Sequence, residues 1–254
     1  MRVVYERCAG LDVHKKTVVA CRITPHPDGG WRKEVRTFAT LTDELLNLAD
    51  WLRASEVTHI AMESTGVYWK PLYNLLEAEF GVVLVNAQHI KFVPGRKTDV
   101  NDAQWIAELL QHGLLKASYI PPVEQRDLRD LLRYRTSLIQ ERTREVNRVQ
   151  KVLEDANIKL SSVASNVLGV SGREMLEQLI AGQDDPVQLA QLARGRLREK
   201  IDQLERALTG RMRASHRLLL KLHLEHIDDL NAKITYLSAE VERLFVPFDD
   251  LQAI

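Results

Sequence analysis

Apolar positions recur along this chain with two different periods, and the change of period divides it. In the first half, "CAGLDVHK", "TVVACRIT" and "RKEVRTFA" are short runs that alternate or stay apolar in the manner of strands. The first two are separated by a short polar link, the second and third by the turn-rich "PHPDGGW". "TDELLNLADWLRAS" then carries Leu45, Leu48 and Leu52 at helical spacing, with Thr42 as its expected N-cap. "VTHIAMES" reads as a strand, "YWKPLYNLLEAEFG" as a helix closed by Gly81, "VVLVNA" as a strand, and Thr98 to Leu115 as a last helix. The predicted order is β-β-β-α-β-α-β-α.

"SYIPPVEQ" marks the boundary, because Pro121 and Pro122 cannot continue a helix. The reading is two domains, 1–120 and 121–254, the second without strands. Val123 to about Asp155 is one long helical pattern. A softer stretch with Gly169, Gly172, Gly182 and Pro186 follows, and a final helix runs from about Arg211 to Phe245. In that last helix Leu220, Ile227, Ile234 and Val241 recur every seven residues, and Leu230, Leu237 and Leu244 sit three positions after the last three. Such a seam suits a two-stranded parallel coiled coil, so a homo-oligomer, dimer or tetramer, is expected through Leu220 to Leu244. His223 breaks the seam and reads as a helix-end polar residue.

Charge changes this picture. The chain has 35 basic and 35 acidic residues, yet Arg126–Lys151 holds eight basic and four acidic, and Arg194–Lys221 nine and three. Leu222–Ile254 holds two basic and seven acidic, so neutrality hides two basic blocks and an acidic tail. On an ideal wheel for Val123–Asp155, Arg126, Arg129, Arg133, Arg144, Arg148 and Lys151 share one face, suited to phosphates. Leu128, Leu132, Ile139, Val146, Val149 and Leu153 share the other. Arg135 and Arg142 project from the apolar stripe and need a partner helix or a ligand. Hydrophobic residues make up 45 % and charged residues 28 %, and no uncharged run approaches a membrane span or signal peptide, so a cytoplasmic protein is expected. Cys8 and Cys21 are too few for a disulfide framework and read as buried thiols.

Three strands followed by two βα crossovers match an α/β ribonuclease H-like (RuvC-like) mixed sheet, here followed by an all-α coiled-coil domain. In that sheet the first and fourth strands are neighbours. Asp12 ends the first and Glu63 the fourth, while Asp99 and Asp102 share one face of the following helix. Four carboxylates in one place repel unless hard cations neutralise them, which points to Mg²⁺, with Mn²⁺ able to substitute, and to phosphoryl transfer. Lys15, Lys16, Arg96 and Lys97 flank the acids and suit a nucleic-acid backbone. Tyr68 and Trp69 follow Glu63 as stacking or core aromatics.

"GLDVHKK", "MESTGVYW" and "KTDVNDA" resemble the three acidic motifs of the DEDD transposases of bacterial insertion sequences, relatives of site-specific DNA invertases. By motif position the family's quartet falls on Asp12, Glu63, Asp99 and Asp102. The resemblance implies DNA cleavage and strand exchange near the nucleoid, with a structured noncoding guide RNA as a partner in some members. It also implies a C-terminal domain with a serine nucleophile. The chain stops at "FVPFDDLQAI", where such a domain would begin, so it reads as a fragment inactive by itself. Two other classes compete: a non-catalytic RNA- or DNA-binding dimerisation module, which would not need the quartet, and an actin-like ATPase, which would need a second duplicated domain.

Overall fold

The computed structural model describes residues 2–64, 66–86 and 102–245. Two compact units divide the chain, Met1–Pro121 and Pro122–Ile254.

The first unit is a mixed five-stranded sheet in the order β3-β2-β1-β4-β5. Its strands are β1 (Cys8–Val13), β2 (Thr17–Pro25), β3 (Trp31–Ala39), β4 (His59–Glu63) and β5 (Gly81–Val85). The short links between the first three allow antiparallel pairing, with Asp12 opposite Val19, whereas β1–β4 and β4–β5 are parallel, joined by helical crossovers. The neighbouring β1 and β4 expected from the element order are thus observed.

Alternation along β1 assigns its residues to two faces. Ala9, Leu11 and Val13 face α1 (Thr42–Arg53) and α2 (Trp69–Leu76), in a core with Leu48, Leu52, Leu72 and Leu76. Cys8 faces the other way, onto α3 (Asp102–Gln111), where Ala61, Cys21, Ile106 and Ala107 complete a second core. Two element ends differ from expectation. Thr42 is the first residue of α1 and Leu41, with an extended backbone, its N-cap, so no side chain caps the helix. Gly81 opens β5 and does not close α2, which ends at Leu76; the segment after it turns before the strand begins.

The second unit is helical: α4 (Val123–Asp155), α5 (Leu160–Val163), α6 (Val170–Ala181), α7 (Pro186–Ala190), a 3₁₀ turn (Gly195–Lys200), α8 (Ile201–Leu208) and α9 (Ala214–Phe245). Its core gathers Val149, Leu153, Leu160, Met175, Leu204, Leu220 and Ile227. The long helices α4 and α9 lie antiparallel: Asp155 meets His216 at one end, and Arg135 meets Ser238 at the other. The seam of α9 is therefore filled within the chain, Leu230 and Leu237 closing over Leu138. This corrects the expected parallel contact of Leu220–Leu244 with a second copy: a seven-residue repeat specifies a stripe, and α4 of the same chain supplies its complement.

The apolar face of α4 is also corrected. Positions 128, 131, 135, 138, 142, 145, 149 and 152, spaced alternately by three and four, form the seam, and none of them is fully exposed. Ile139, placed on the buried face by the ideal wheel, is 38 % exposed, whereas Leu138 is 4 % exposed. Paired long helices keep contact with a repeat of 3.5, and a 3.6 wheel drifts about 20° per heptad from it. The three misfits of the α4 seam each meet a polar partner on α9. Arg135 Nε donates to Ser238 Oγ at 2.7 Å, and Arg142 Nε donates to Asn231 Oδ1. Glu145, 4 % exposed, lies 3.0 Å from His223 Nδ1. His223 is thus a mid-helix partner of a buried acid, not a helix-end residue. Pairs of this kind fix the register, since a slip would strand a buried charge.

Candidate functional site

Gly10 determines how α3 sits on the sheet. A Cβ at this position would lie 2.3 Å from both the Ala103 carbonyl oxygen and the Ala107 amide nitrogen, so the helix backbone rests directly on the strand. The Cys8 thiol, one step along the same face, donates to the Ala107 carbonyl at 3.7 Å. Asp12 is the next residue of that face after Gly10, at the carboxyl end of β1. The ladder pairs Gly10 with Ala61 and Leu11 with Met62, which brings Glu63 level with Asp12 at the end of β4. Asp102 begins α3. The carboxyl ends of adjacent parallel strands are a common place for ligands in open α/β sheets.

The electrostatics agree with this placement. Burial pushes the Asp12 carboxyl above the usual aspartate range; the charges of Asp102 and Glu63 push it further, and His14 pulls it back. His14 Nε2 lies 3.1 Å from Asp12 Oδ2. The Asp12 side chain keeps 23 % of its surface exposed, so it remains reachable from solvent. Asp99, Arg96 and Lys97 lie outside the described residues. Among the described residues no three His, Cys, Asp or Glu side chains are grouped as they would be around an ion. The donor chemistry of Asp12, Glu63 and Asp102, hard oxygen with mutual repulsion, nevertheless fits a divalent cation. The two thiols do not compete: both are buried, which pushes Cys8 to about 12 and Cys21 to about 11.

A family model described as a transposase, of the IS110 DEDD type, matches residues 9–158. The chain belongs to the IS110-type DEDD transposase family. Among curated relatives of this family, the "Transposase for insertion sequence element IS1111A" of Coxiella burnetii is 33 % identical over 79 residues, 31 % of this chain and 22 % of that protein. A "Probable family 20 transposase" of Pseudomonas aeruginosa is 24 % identical over 247 residues, 93 % of this chain and 69 % of that protein. The chain thus aligns with less than a quarter of the first relative's length and about two thirds of the second's.

Other residues expected at the transposase site fall as follows. Lys15 and Lys16 are exposed just beyond β1. Lys15 lines a cleft of about 250 Å³ with Val13, His14, Thr40, Val67 and Tyr68. Tyr68, 42 % exposed, lines that cleft, whose His14 is the partner of Asp12. Trp69 packs edge-on against Tyr73 at the start of α2. On α4, Arg129, Arg133, Arg144, Arg148 and Lys151 are exposed and Arg126 is half-buried. Arg148 pairs with Glu145 at 2.6 Å, and Arg133 lies 3.6 Å from Asp130. Sequence reasoning did not single out His14, although it stands within "GLDVHKK"; its signal was only its place two residues beyond Asp12. No helix among the described residues is long and apolar enough to cross a membrane.

Proposed function

We propose that the first unit is a ribonuclease H-like, RuvC-like domain whose Asp12, Glu63, Asp99 and Asp102 hold Mg²⁺, or Mn²⁺ in its place, for DNA strand cleavage and exchange in transposition. What supports this reading is the β1–β4 register, which sets Glu63 beside Asp12, and the raised Asp12 carboxyl, pushed up first by burial and then by the charges of Asp102 and Glu63. A bound divalent ion would neutralise that repulsion, polarise the scissile phosphate and favour the attacking oxygen. The chain's own residues do the positioning: Gly10 seats α3 so that Asp102 approaches β1, and His14 orients the Asp12 carboxylate. Lys15 and Lys16, exposed just beyond the end of β1, are read as backbone-binding cations.

The α4–α9 pair is read as an intramolecular antiparallel coiled coil that presents Arg126, Arg129, Arg133, Arg144, Arg148 and Lys151 to DNA or to a structured guide RNA. Strand exchange involves two DNA partners and suits a homo-oligomer, assembled through a surface other than the filled Leu220–Leu244 seam, together with a family-type serine domain. The test is a calorimetric Mn²⁺ titration in the presence of DNA. The binding heat should disappear in Asp12→Asn and Asp102→Asn, both of which keep the side-chain volume. Equal heats in wild type and both variants would overturn the assignment.

A further inference from the structure

The second basic block, Arg194–Lys221, is absorbed by none of the features above. Part of it is committed to the fold. Arg213 meets Asp155 and His216, and Arg217 forks onto Asp184, its Nη2 2.6 Å from Oδ2. The start of the block is not so occupied. Residues 194–200, "RGRLREK", form one wall of a groove of about 610 Å³ whose opposite wall is the loop 163–169 and the first turn of α6.

The groove is built, not incidental. Its floor includes Ala164 and Ser171, 2 % and 5 % exposed. A Cβ at Gly172 would lie 2.2 Å from the Val167 carbonyl oxygen, so the loop is pressed against the helix start and only glycine fits there. Ser171 Oγ accepts the Arg194 amide at 2.9 Å, which ties the two walls together and leaves the hydroxyl proton free to be donated. No side chain caps the first-turn amides of α6. Of the cations on the rim, Arg194 is shared with Glu174 at 2.7 Å, and Lys200 reaches only the Val163 carbonyl at 3.5 Å. Arg196 is exposed and makes no ion pair among the described residues. Against three cations stands one acid on the same lining, Glu199.

We propose that this groove holds the phosphodiester backbone of a single polynucleotide strand, with Arg196 and Lys200 as its phosphate contacts. Guanidinium and ammonium donors, outward-facing amides and a hydroxyl donor are the set that recognises phosphate oxygens. Exposed cations at Arg194, Arg196 and Lys200 follow one another along the lining, which suits successive phosphates of a strand better than one small anion. The inference rests on the reading that this chain works on nucleic acid, but it uses none of the carboxylates.

The test is fluorescence anisotropy of this chain with labelled single-stranded RNA and DNA of about 16 nucleotides, a typical single-strand site size. Binding is followed between about 50 and 200 mM salt, where phosphate contacts dominate the response. Each single-strand phosphate contact contributes roughly 0.7 to the log–log salt slope, so Arg196→Ala/Lys200→Ala should lower the slope by about 1.4 and weaken binding roughly tenfold near 0.15 M salt. The thermal midpoint should not move, and Glu199→Gln should tighten binding. An unchanged slope in the double variant, or a polyglutamate that competes as well as RNA at equal charge, would overturn the groove assignment. Asp12→Asn is kept out of this comparison, because Asp12 belongs to the carboxylate site. Its separate Mn²⁺ titration decides the carboxylate reading, so the two proposals fail on different measurements.

Discussion

Gly10→Ala tests the one contact that brings α3 onto the sheet. Two effects of opposite sign compete. Replacing glycine by alanine removes backbone freedom from the unfolded chain and by itself stabilises a folded protein by about 0.4–1 kcal/mol. The added Cβ, however, would stand 2.3 Å from two helix backbone atoms, the Ala103 carbonyl oxygen and the Ala107 nitrogen. Backbone cannot rotate out of the way as a side chain can, so α3 must lift by about 1 Å, and overpacking of this kind costs about 1–3 kcal/mol. With both contacts on backbone the upper end applies, and the net loss is about 2 kcal/mol, or roughly 6–8 °C in the midpoint of a unit of this size. Gly81→Ala provides the comparison, because its Cβ would meet only the ring of His59, an imidazole that can turn away. Its loss should be clearly smaller. The assay is thermal and urea unfolding of all three chains, followed by Mn²⁺ titration of the folded Gly10→Ala protein. Because lifting α3 moves Asp102 away from β1, metal affinity should fall even where the fold survives. A Gly10→Ala chain as stable as wild type, or more stable, would refute the close approach and with it this account of how the acids meet.

Two further outcomes follow from the packing and the charges. Folding raises the Asp12 pKa, so stability rises as pH falls from the folded-state value towards the ordinary aspartate range, and at neutral pH the ionised side chain weakens the fold. In chelator, Asp12→Asn should therefore unfold at a higher urea concentration than wild type at neutral pH, with the gap closing in acid; a less stable variant at neutral pH would contradict this. Leu138→Ala should cost about 2–4 kcal/mol, because Leu138 is buried between Leu230 and Leu237, whereas the exposed Ile139→Ala should cost under about 1 kcal/mol. Equal losses in urea unfolding would argue against the seam described for α4.

The strands and their order were legible because short apolar runs, turn residues and two crossovers leave few topologies open. That Asp12 and Glu63 are level follows from the β1–β4 register, which the element order anticipated. What brings Asp102 to them was not legible, since nothing in "CAGLDV" says which glycine lies beneath a helix. Residue ends were misread at Thr42, which sits one position inside α1, and at Gly81, which opens β5 well beyond the end of α2 at Leu76. The seam of α4 was misread for a different reason. Three of its eight positions, Arg135, Arg142 and Glu145, are charged, so a hydrophobicity count rotates the face towards Ile139. Only the partner helix, with Ser238, Asn231 and His223 opposite, makes those positions interior.

The same chemistry explains why the two units treat charge in opposite ways. In the helical unit, buried or half-buried ions are answered inside the chain: Glu145 by Arg148 and His223, and Arg173 by Asp228 and Glu177. At the end of β1 the chain does the reverse, setting Asp12 partly buried among Asp102 and Glu63 with His14 as its cationic or hydrogen-bonding neighbour. An imidazole can offset one carboxylate only while protonated, whereas a divalent ion offsets two at any pH near neutral. On the proposed function a divalent cation would offset both the burial of the Asp12 carboxylate and the charges of Asp102 and Glu63, and this is measurable as stability that Mn²⁺ adds to wild type but not to Asp12→Asn.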